Sequence, residues 1–297
     1  MSDIDALARA YDAHRDRMVN VAYAIVGSRA EAEDVVADCW AKLVEADARE
    51  PVRDVPGWLT VAVARTAVDV LRSARVRRET YPGVWLPEPV VTAPDAADPA
   101  DRVTLDETVG YALLVVLESL SPAERTAWVM HDVFGMRFDE VAVVVGRSPA
   151  AVRQLAARAR AHLAAQSPRF DVDRAEHERV LGLFLEAAAG GDLQALVATL
   201  DPDVVLVSDG GGVVSAARRP VEGAVRVARF LLGVAQKNQR DLAEPRLELV
   251  EVNGLAAVAI HDGDRLDSVV VLTVDGGRVG RIDVVRAPDK LAGVARR

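Results

Sequence analysis

The chain has 297 residues, of which 51% are hydrophobic, and a net charge of −9, which allows two or three folded domains. A single cysteine excludes an internal disulfide and a thiolate metal cluster, and no apolar stretch is long enough to cross a membrane. The acidic and polar N-terminus lacks the pattern of a secretory signal, so a soluble cytoplasmic protein is expected.

The negative average hides two local clusters of positive charge. Residues 65–78 contain five arginines and one acid, and residues 146–170 contain five more arginines and no acid. Between them, residues 88–107 carry six acids and one arginine. Because phosphates bind to local patches, the two clusters favour a nucleic-acid partner despite the net charge. Solvated helix surface is the alternative interpretation of any single arginine.

Residues 1–80 are predicted to form an all-helical domain. Apolar residues recur at helical spacing from Ile4 to Val26, and a second helix, SRAEAEDVVADCWAKLVEA, follows Gly27. The second helix has one apolar stripe, and Asp34 and Asp38 lie four residues apart on its other side. This acidic face is either solvated or a docking surface for a basic partner helix.

A third helix, PGWLTVAVARTAVDVLRSARVRRE, follows the polar connector at 47–55 and becomes steadily more basic. After it, residues 81–103 begin with YPGVWLPEP, in which three prolines rule out a helix interior. This segment is predicted to be an interdomain linker. Its apolar side chains, which an ordinary flexible linker would lack, either pack on a neighbouring surface or form a docking strip.

Residues 104–166 are predicted to contain a helix-turn-helix. A capped helix, SPAERTAWVMHDVF, precedes the short helix FDEVAVVV, a turn at Gly146 and the helix SPAAVRQLAARARAHL. The last helix has an apolar face, and its opposite face carries Arg153, Gln154, Ala157 and Arg158. Arginine can pair with guanine and glutamine with adenine, while alanine permits close approach to DNA. Ser148, at the start of this helix, could bind a phosphate.

Residues 170–297 are predicted to form an α+β domain with antiparallel strands. Helical sequence is followed by strand-like runs at 204–208, 245–252, 256–262, 267–274 and 278–285, with one helix near 221–235. The run SDGGG at 208–212 allows close backbone approach, although an isolated glycine run is more often a turn. His177 and His261 are interpreted as structural, because no known catalytic motif accompanies them.

The order of these parts resembles an extracytoplasmic-function (ECF) sigma factor of bacterial RNA polymerase. The resemblance rests on AEAEDVVADCWAKL in the first domain and on AAVRQLAARAR in the helix-turn-helix. YPGVWLPEPV, SDGGG and VNGLAA (252–257) resemble hallmarks of the subgroup with a fused SnoaL-like C-terminal domain, although Ala256 stands where proline is expected. The resemblance covers the whole chain and implies two all-α sigma domains, then an α+β, NTF2-like cone.

The resemblance also implies functional residues. Docking on the clamp of the polymerase's largest subunit would involve Asp34, Val35, Asp38 and Trp40. The melted −10 strand would be captured by the connector at 47–55 and the next helix, through Trp58, Arg65, Arg72 and Arg75. The −35 duplex would be read by Arg153, Gln154 and Arg158, with Ser148 and Ala157 at the same surface. The C-terminal domain would regulate the DNA-binding domains in cis through Trp85, Leu86, Pro87, Asp209, Gly210 and Asn253.

Two other functions remain open from the residues. A one-component regulator would bind an operator through the helix-turn-helix and a small molecule through the C-terminal domain, but it leaves residues 1–79 without a role. A cyclase or isomerase would need a polar, acid-containing pocket, whereas the predicted strands are mostly Val, Leu and Ile. No cofactor, metal or membrane contact is expected, and an unidentified small ligand of the C-terminal domain is left open.

Overall fold

The structure, a computed structural model, describes residues 4–92, 109–165 and 173–294 and divides the chain into two compact units. The first unit comprises Met1–Glu79 with Leu114–Gln166, and the second comprises Thr80–Leu113 with Ser167–Arg297. Residues 81–92 of the predicted linker are therefore part of the second unit, whereas residues 93–103 lie outside the described ranges. Within those ranges, no helix has the length and hydropathy needed to span a membrane.

The first unit is all-helical. Its elements are α1 (Ile4–Val26), α2 (Arg29–Arg49), α3 (Val55–Glu79), the end of α4 (Tyr111–Leu117), α5 (Pro122–Trp128), a π-helical turn (Val129–Val133), α6 (Phe138–Val145) and α7 (Pro149–Ala165). The helix predicted from Ile4 to Val26 is confirmed. Ser28 caps α2 by accepting a hydrogen bond from the Glu31 amide at 3.2 Å, and Ser121 and Glu124 form the predicted capping box of α5.

One predicted helix in this unit is wrong in its second half. The sequence predicts a single helix from Ser121 to Phe134. In the structure the α-helix ends at Trp128 and a π-helical turn follows. Gly135, with φ +68°, then ends the segment as predicted. The π-helical turn adds a residue to the helical repeat, and such turns often occur near functional sites. Hydrophobic periodicity does not reveal it, because the apolar residues keep an α-helical spacing on either side.

The second unit is an α+β domain, as predicted. Its helices are α8 (Arg174–Ala189), α9 (Leu193–Thr199), α10 (Ala224–Asp241) and α11 (Pro288–Leu291). Its strands are β1 (Val91–Thr92), β2 (Leu200–Asp209), β3 (Val221–Glu222), β4 (Pro245–Val252), β5 (Leu255–Asp262), β6 (Arg265–Asp275) and β7 (Arg278–Val285). The helix predicted near 221–235 starts later than expected, because Val221 and Glu222 pair with β2.

The sheet has the order β1-β4-β5-β6-β7-β2-β3 and is mixed. The prediction of purely antiparallel strands is therefore wrong at one place, because β2 and β7 are parallel. Helices α8, α9 and α10 cover one face, where Phe184, Leu206 and Ile282 belong to the buried core. Side chains alternate along a strand, so Val207 and Asp209 of β2 lie on the opposite face. This opposite face carries the contacts with the linker that are described below.

Candidate DNA interface and linker clamp

Helix α7 has the two faces that the sequence predicted. Its buried residues are Val152, Leu155, Ala156, Ala159 and Leu163. Its opposite side exposes Arg153, Gln154, Ala157 and Arg158. The Ser148 hydroxyl oxygen accepts a hydrogen bond from the Ala151 amide at 3.3 Å, so Ser148 caps α7. The hydroxyl proton of Ser148 can still donate to a phosphate.

The two arginines of this exposed face are held in different ways. Arg158 Nε lies 3.1 Å from Glu124 Oε1, whereas the Arg153 guanidinium lies 5.4 Å from the centre of the Phe138 ring. The Ser121 hydroxyl, with Arg158 adding a smaller effect, lowers the pKa of Glu124. Glu124 is therefore ionised at neutral pH and forms an ion pair with Arg158. Arg153 contacts a ring face and keeps its in-plane N–H groups for other acceptors.

Two of the arginines predicted to bind the melted strand contact other helices of the same unit. Arg65 donates two hydrogen bonds, at 3.1 and 2.8 Å, to the carbonyl of Val143 in α6. Arg75 donates to the Leu120 carbonyl at 3.1 Å. The sequence analysis did not foresee these contacts, because residues 65–78 and 120–143 are far apart in the chain.

The other two predicted strand-binding residues lie in different parts of α3, because Trp58 is near its start and Arg72 is in its last third. Trp58 is half-buried in the first turns of the helix, and Arg72 is exposed and donates to Asp69 at 3.1 Å. The Asp54 carboxylate accepts a hydrogen bond from the Gly57 amide at 3.0 Å, which orders the junction between the connector and α3. These residues lie along one helix, but the structure does not bring them into a single cluster.

The predicted polymerase-docking residues of α2 divide into a surface pair and two packed residues. Asp34 and Asp38 are exposed, as expected for a docking face. Val35 is only 2% exposed, so its assignment as a surface contact is wrong and it belongs to the core. Trp40 is half-buried and packs on Tyr11, with ring centres 5.1 Å apart. Val35 and Trp40 therefore stabilise the helix that presents the two carboxylates.

A buried charge cluster, formed by Arg78, Glu118 and Arg125, joins α3 to the segment before α5. Glu118 makes ion pairs with both arginines. Arg125 is 1% exposed and donates through Nε to the Ala24 carbonyl at 3.1 Å, and Arg78 donates to the Val26 carbonyl at 2.8 Å. Burial lowers the pKa of Arg78, which Glu118 partly offsets. One carboxylate and two main-chain carbonyls thus hold two guanidinium groups, and the cluster keeps one net positive charge.

In the second unit, the buried Asp209 carboxylate holds the linker. It accepts hydrogen bonds from the Tyr81 hydroxyl at 2.6 Å, the Leu86 amide at 2.9 Å and the Gly211 amide at 3.0 Å. Lys290 Nζ lies 2.6 Å from the same carboxylate and also donates to the Leu86 carbonyl. We call Tyr81, Leu86, Asp209 and Lys290 the linker clamp.

The linker clamp has an aromatic lining. Lys290 Nζ lies 4.0 Å from the centre of the Trp85 ring and 5.4 Å from that of Tyr81. Burial and the adjacent Asp209 carboxylate raise the pKa of Tyr81 well above its usual value, so its hydroxyl stays protonated and donates. The structure therefore brings together Trp85, Leu86 and Asp209, which the sequence analysis had named as regulatory contacts.

Asn253 holds the linker at a second place. Its backbone amide donates to the Val90 carbonyl at 3.0 Å, its side-chain oxygen accepts from the Val90 amide at 3.2 Å, and its Nδ2 donates to the Val109 carbonyl at 3.4 Å. Asn253 has φ 47°, a left-handed conformation that asparagine tolerates better than most residues. The carbonyl of Pro87 accepts a hydrogen bond from the Tyr111 hydroxyl at 3.1 Å. The linker is thus hydrogen-bonded at Leu86, Pro87 and Val90.

The glycines after Asp209 allow close packing. A Cβ atom on Gly210 would lie 2.3 Å from the Val214 carbonyl oxygen. Gly212 has φ +71°, and a Cβ atom there would lie 2.3 Å from Cγ of Pro82 in the linker. SDGGG is therefore a site of close approach to the linker rather than an isolated turn.

Replacing Gly212 by alanine is expected to destabilise the second unit by about 2–5 kcal/mol. The positive φ contributes about 1–2 kcal/mol, and the clash with Pro82 contributes about 1–3 kcal/mol. Gly276→Ala is the matched control, because Gly276 has φ +56° and open space around the position of a Cβ atom. Thermal unfolding of both full-length variants measures the difference. Equal losses for the two variants would show that the contact with Pro82 is unimportant.

The described residues contain no group of three or more His, Cys, Asp or Glu side chains that could hold a metal ion. His177 is buried with Nε2 2.7 Å from the Ala256 carbonyl oxygen, and His261 Nε2 lies 3.1 Å from Glu248.

A cavity of about 810 Å³ lies beside β2, β3 and α10. Its charged lining residues, such as Arg226, are exposed, so no buried polar group there selects a ligand.

The sequence analysis missed Lys290, the cation of the linker clamp. The rarity of lysine could have indicated it, because the chain contains 33 arginines and only three lysines. A compact ammonium fits between the Asp209 carboxylate and the Leu86 carbonyl, where a planar guanidinium would need more space. Tyr81 was quoted with the linker sequence, but nothing in the sequence paired it with Asp209.

Comparison with known proteins was made at the level of domains and of the whole chain. Residues 10–77 match the family model for sigma-70 region 2, and residues 111–163 match that for sigma-70 region 4. The ECF RNA polymerase sigma factor SigJ of Mycobacterium tuberculosis is 41% identical over 95% of this chain and 92% of its own length. SigI of the same species, described as a probable ECF RNA polymerase sigma factor, is 35% identical over 98% of this chain and 97% of its own length.

The crystal structure of SigJ superimposes with a TM-score of 0.76 at 36% identity and covers 96% of this chain and 98% of that one. Both the sigma regions and the C-terminal domain therefore have counterparts in a solved structure.

Proposed function

Because this chain belongs to the ECF RNA polymerase sigma factors, which bind core polymerase and promoter DNA, we propose a specific role for each of its surfaces. The exposed face of α7 carries this proposal. It presents Arg153, Gln154 and Arg158 beside small alanines on a capped helix whose other face is buried. This is the arrangement that enters a major groove, so these residues read the −35 duplex, and Ser148 contacts a phosphate.

Region 2 docks on the polymerase clamp and captures the melted −10 strand. The exposed carboxylates of Asp34 and Asp38 suit a basic partner surface, and α3 supplies the arginines for the strand. Arg65 and Arg75 first have to exchange their carbonyl partners for phosphates. Both side chains are exposed, and a hydrogen bond with one charged partner contributes about 1.5–3 kcal/mol, so bonds to phosphate, in which both partners are charged, can replace it.

The C-terminal domain modulates this activity in cis and has no catalytic role of its own. Asp209 and Asn253 bind the main chain of the linker, which joins the two DNA-binding regions in sequence. A substitution in the linker clamp therefore changes how firmly the linker is held. Replacing Asp209 or Trp85 is therefore expected to change the amount of transcript without changing promoter choice. As a polymerase subunit, the protein would work in the cytoplasm.

Run-off transcription with purified core RNA polymerase tests this function. The template is the DNA upstream of the protein's own gene neighbours, and the full-length chain is compared with its Arg153→Ala variant. Loss of one base contact is expected to weaken promoter binding by about 1–3 kcal/mol. Arg229→Ala is the matched control, because Arg229 is an exposed arginine on α10 of the C-terminal domain.

Each outcome of the transcription assay separates the alternatives. Transcripts with the wild-type chain and with Arg229→Ala, but fewer with Arg153→Ala, support both the function and the reading face. Equal transcription by all three would contradict the role of Arg153. No transcript, together with tight DNA binding in the absence of polymerase, would favour a one-component regulator.

A further inference from the structure

A stack of three side chains lies beside the recognition helix α7. The rings of His131 and Phe138 have centres 3.8 Å apart and planes 26° apart, and the Arg153 guanidinium lies over Phe138 at 5.4 Å. His131 belongs to the π-helical turn, Phe138 begins α6, and Arg153 lies near the start of α7. Because His131 covers one face of the Phe138 ring, the other face is left for the guanidinium.

His131 is itself oriented by the main chain. Its Nδ1 lies 2.8 Å from the Met136 carbonyl oxygen, and a carbonyl can only accept, so Nδ1 donates. Met136 also donates its amide to the Met130 carbonyl at 2.9 Å, which closes the turn. The π-helical turn thus positions the imidazole, the imidazole supports the Phe138 ring, and the ring supports Arg153.

This support has a consequence for base recognition. An exposed arginine loses considerable rotamer freedom when it binds a base, and a partner that restricts the side chain beforehand reduces that loss. A carboxylate partner such as Glu124 occupies N–H donors of Arg158, whereas a ring face contacts Arg153 without occupying its donors. Arg153 is therefore both restricted and able to form paired hydrogen bonds with a guanine.

We propose that Phe138, supported by His131, is a positioning residue for promoter recognition, which aims the Arg153 guanidinium at its base pair in the −35 element. The inference rests on the proposed function, because it takes Arg153 as a base-reading residue. Phe138 itself is half-buried and need not touch DNA. It sets how strongly Arg153 discriminates between bases rather than how strongly the protein binds DNA in general.

The test uses the full-length chain bound to core polymerase. The wild-type complex first selects its preferred −35 duplex from a randomised pool, and binding is then measured for duplexes with each base pair of that element changed in turn. Arg153→Ala identifies the base pair that Arg153 reads. Phe138→Leu is expected to reduce discrimination at this same base pair about two- to fivefold, the range expected for an exposed cation–π contact. Discrimination at the other positions should not change.

Three control variants make the result specific. Phe138→Tyr keeps the ring and should retain wild-type discrimination, and Phe134→Leu makes the same change at a neighbouring half-buried phenylalanine. In an Arg153→Ala background, Phe138→Leu should cause no further loss. If Phe138→Leu lowers the melting temperature, His131→Ser should still reduce discrimination at the same base pair, because it removes the stacked imidazole and its hydrogen bond to Met136 but leaves the Phe138 ring in place.

The possible failures can be told apart. A wild-type complex that selects no −35 sequence would overturn the proposed function and the present inference with it. A selected sequence that Phe138→Leu weakens equally at every position, or leaves unchanged, would overturn the positioning role alone. Additive losses in the double variant would also overturn the positioning role, because Phe138 would then act independently of Arg153.

Discussion

Replacing Glu118 by glutamine is expected to lower the free energy of unfolding of the first unit by roughly 3–5 kcal/mol. The substitution removes the one carboxylate that pairs with both Arg78 and Arg125. Arg125 is 1% exposed, and its Nη2 already lacks a hydrogen-bond partner among the described residues, so water cannot compensate for the loss. The variant therefore leaves uncompensated positive charge between α1, α3 and α5.

Hydrogen exchange in increasing urea measures this effect within the full-length chain, because a chain of two units need not unfold in a single step. The amides of α1 and α3 report on the first unit. Glu45→Gln is the matched control, since Glu45 pairs with Arg49 and their side chains are 65% and 76% exposed. An exposed pair of this kind contributes at most about 1 kcal/mol. If Glu118→Gln were as mild as Glu45→Gln, the buried charge cluster would not stabilise this unit.

Replacing Asp209 by asparagine is expected to release the linker and to destabilise the second unit by roughly 3–5 kcal/mol. The Asp209 side chain is fully buried and that of Lys290 is 7% exposed, so the variant leaves a buried ammonium without its counter-ion. An asparagine NH₂ group would also face two of the four donors that now point at the carboxylate, because each carboxylate oxygen accepts from two of them. Chymotrypsin cleavage after Trp85, which leucine rather than proline follows, should then accelerate about a hundredfold or more, because cleavage requires an open linker.

Two further variants separate the lost charge pair from general disruption. Asp241→Asn is the matched control, because the Lys237–Asp241 pair is 3.9 Å long and both side chains are largely exposed. Lys290→Met should be as harmful as Asp209→Asn, but the double variant should recover part of the loss, since no unpaired charge remains. Losses that simply add would show that Asp209 and Lys290 stabilise the linker independently.

The two variants also distinguish the roles of the two units in transcription. Asp209→Asn acts on the linker and should alter transcript amounts while the preferred promoter stays the same. Glu118→Gln weakens the packing of α3 against α5. It should reduce transcription only in proportion to the fraction of molecules in which the first unit is unfolded. A change of preferred promoter in Asp209→Asn would contradict a purely regulatory role for the linker clamp.

Much of the molecule follows from local sequence patterns. The helical spacing from Ile4 to Val26 predicts α1, and the strands at 245–252 and 278–285 have the predicted bounds. The faces of α7 are also as predicted, because a regular helix converts sequence spacing directly into direction. Asp34 and Asp38 of α2 are exposed as predicted, whereas Val35, which only the family resemblance placed at the docking surface, is buried in the apolar stripe.

The contacts that give the candidate sites their chemistry depend instead on the tertiary structure. Asp209 and Lys290 are 81 residues apart, and Arg65 and Val143 are 78 apart, so no local pattern pairs them. The sequence by itself determined which helices and strands form, where the linker lies and which arginines face outward. The tertiary structure decided which charges are buried together, because burial and pairing arise only when distant segments pack and exclude water.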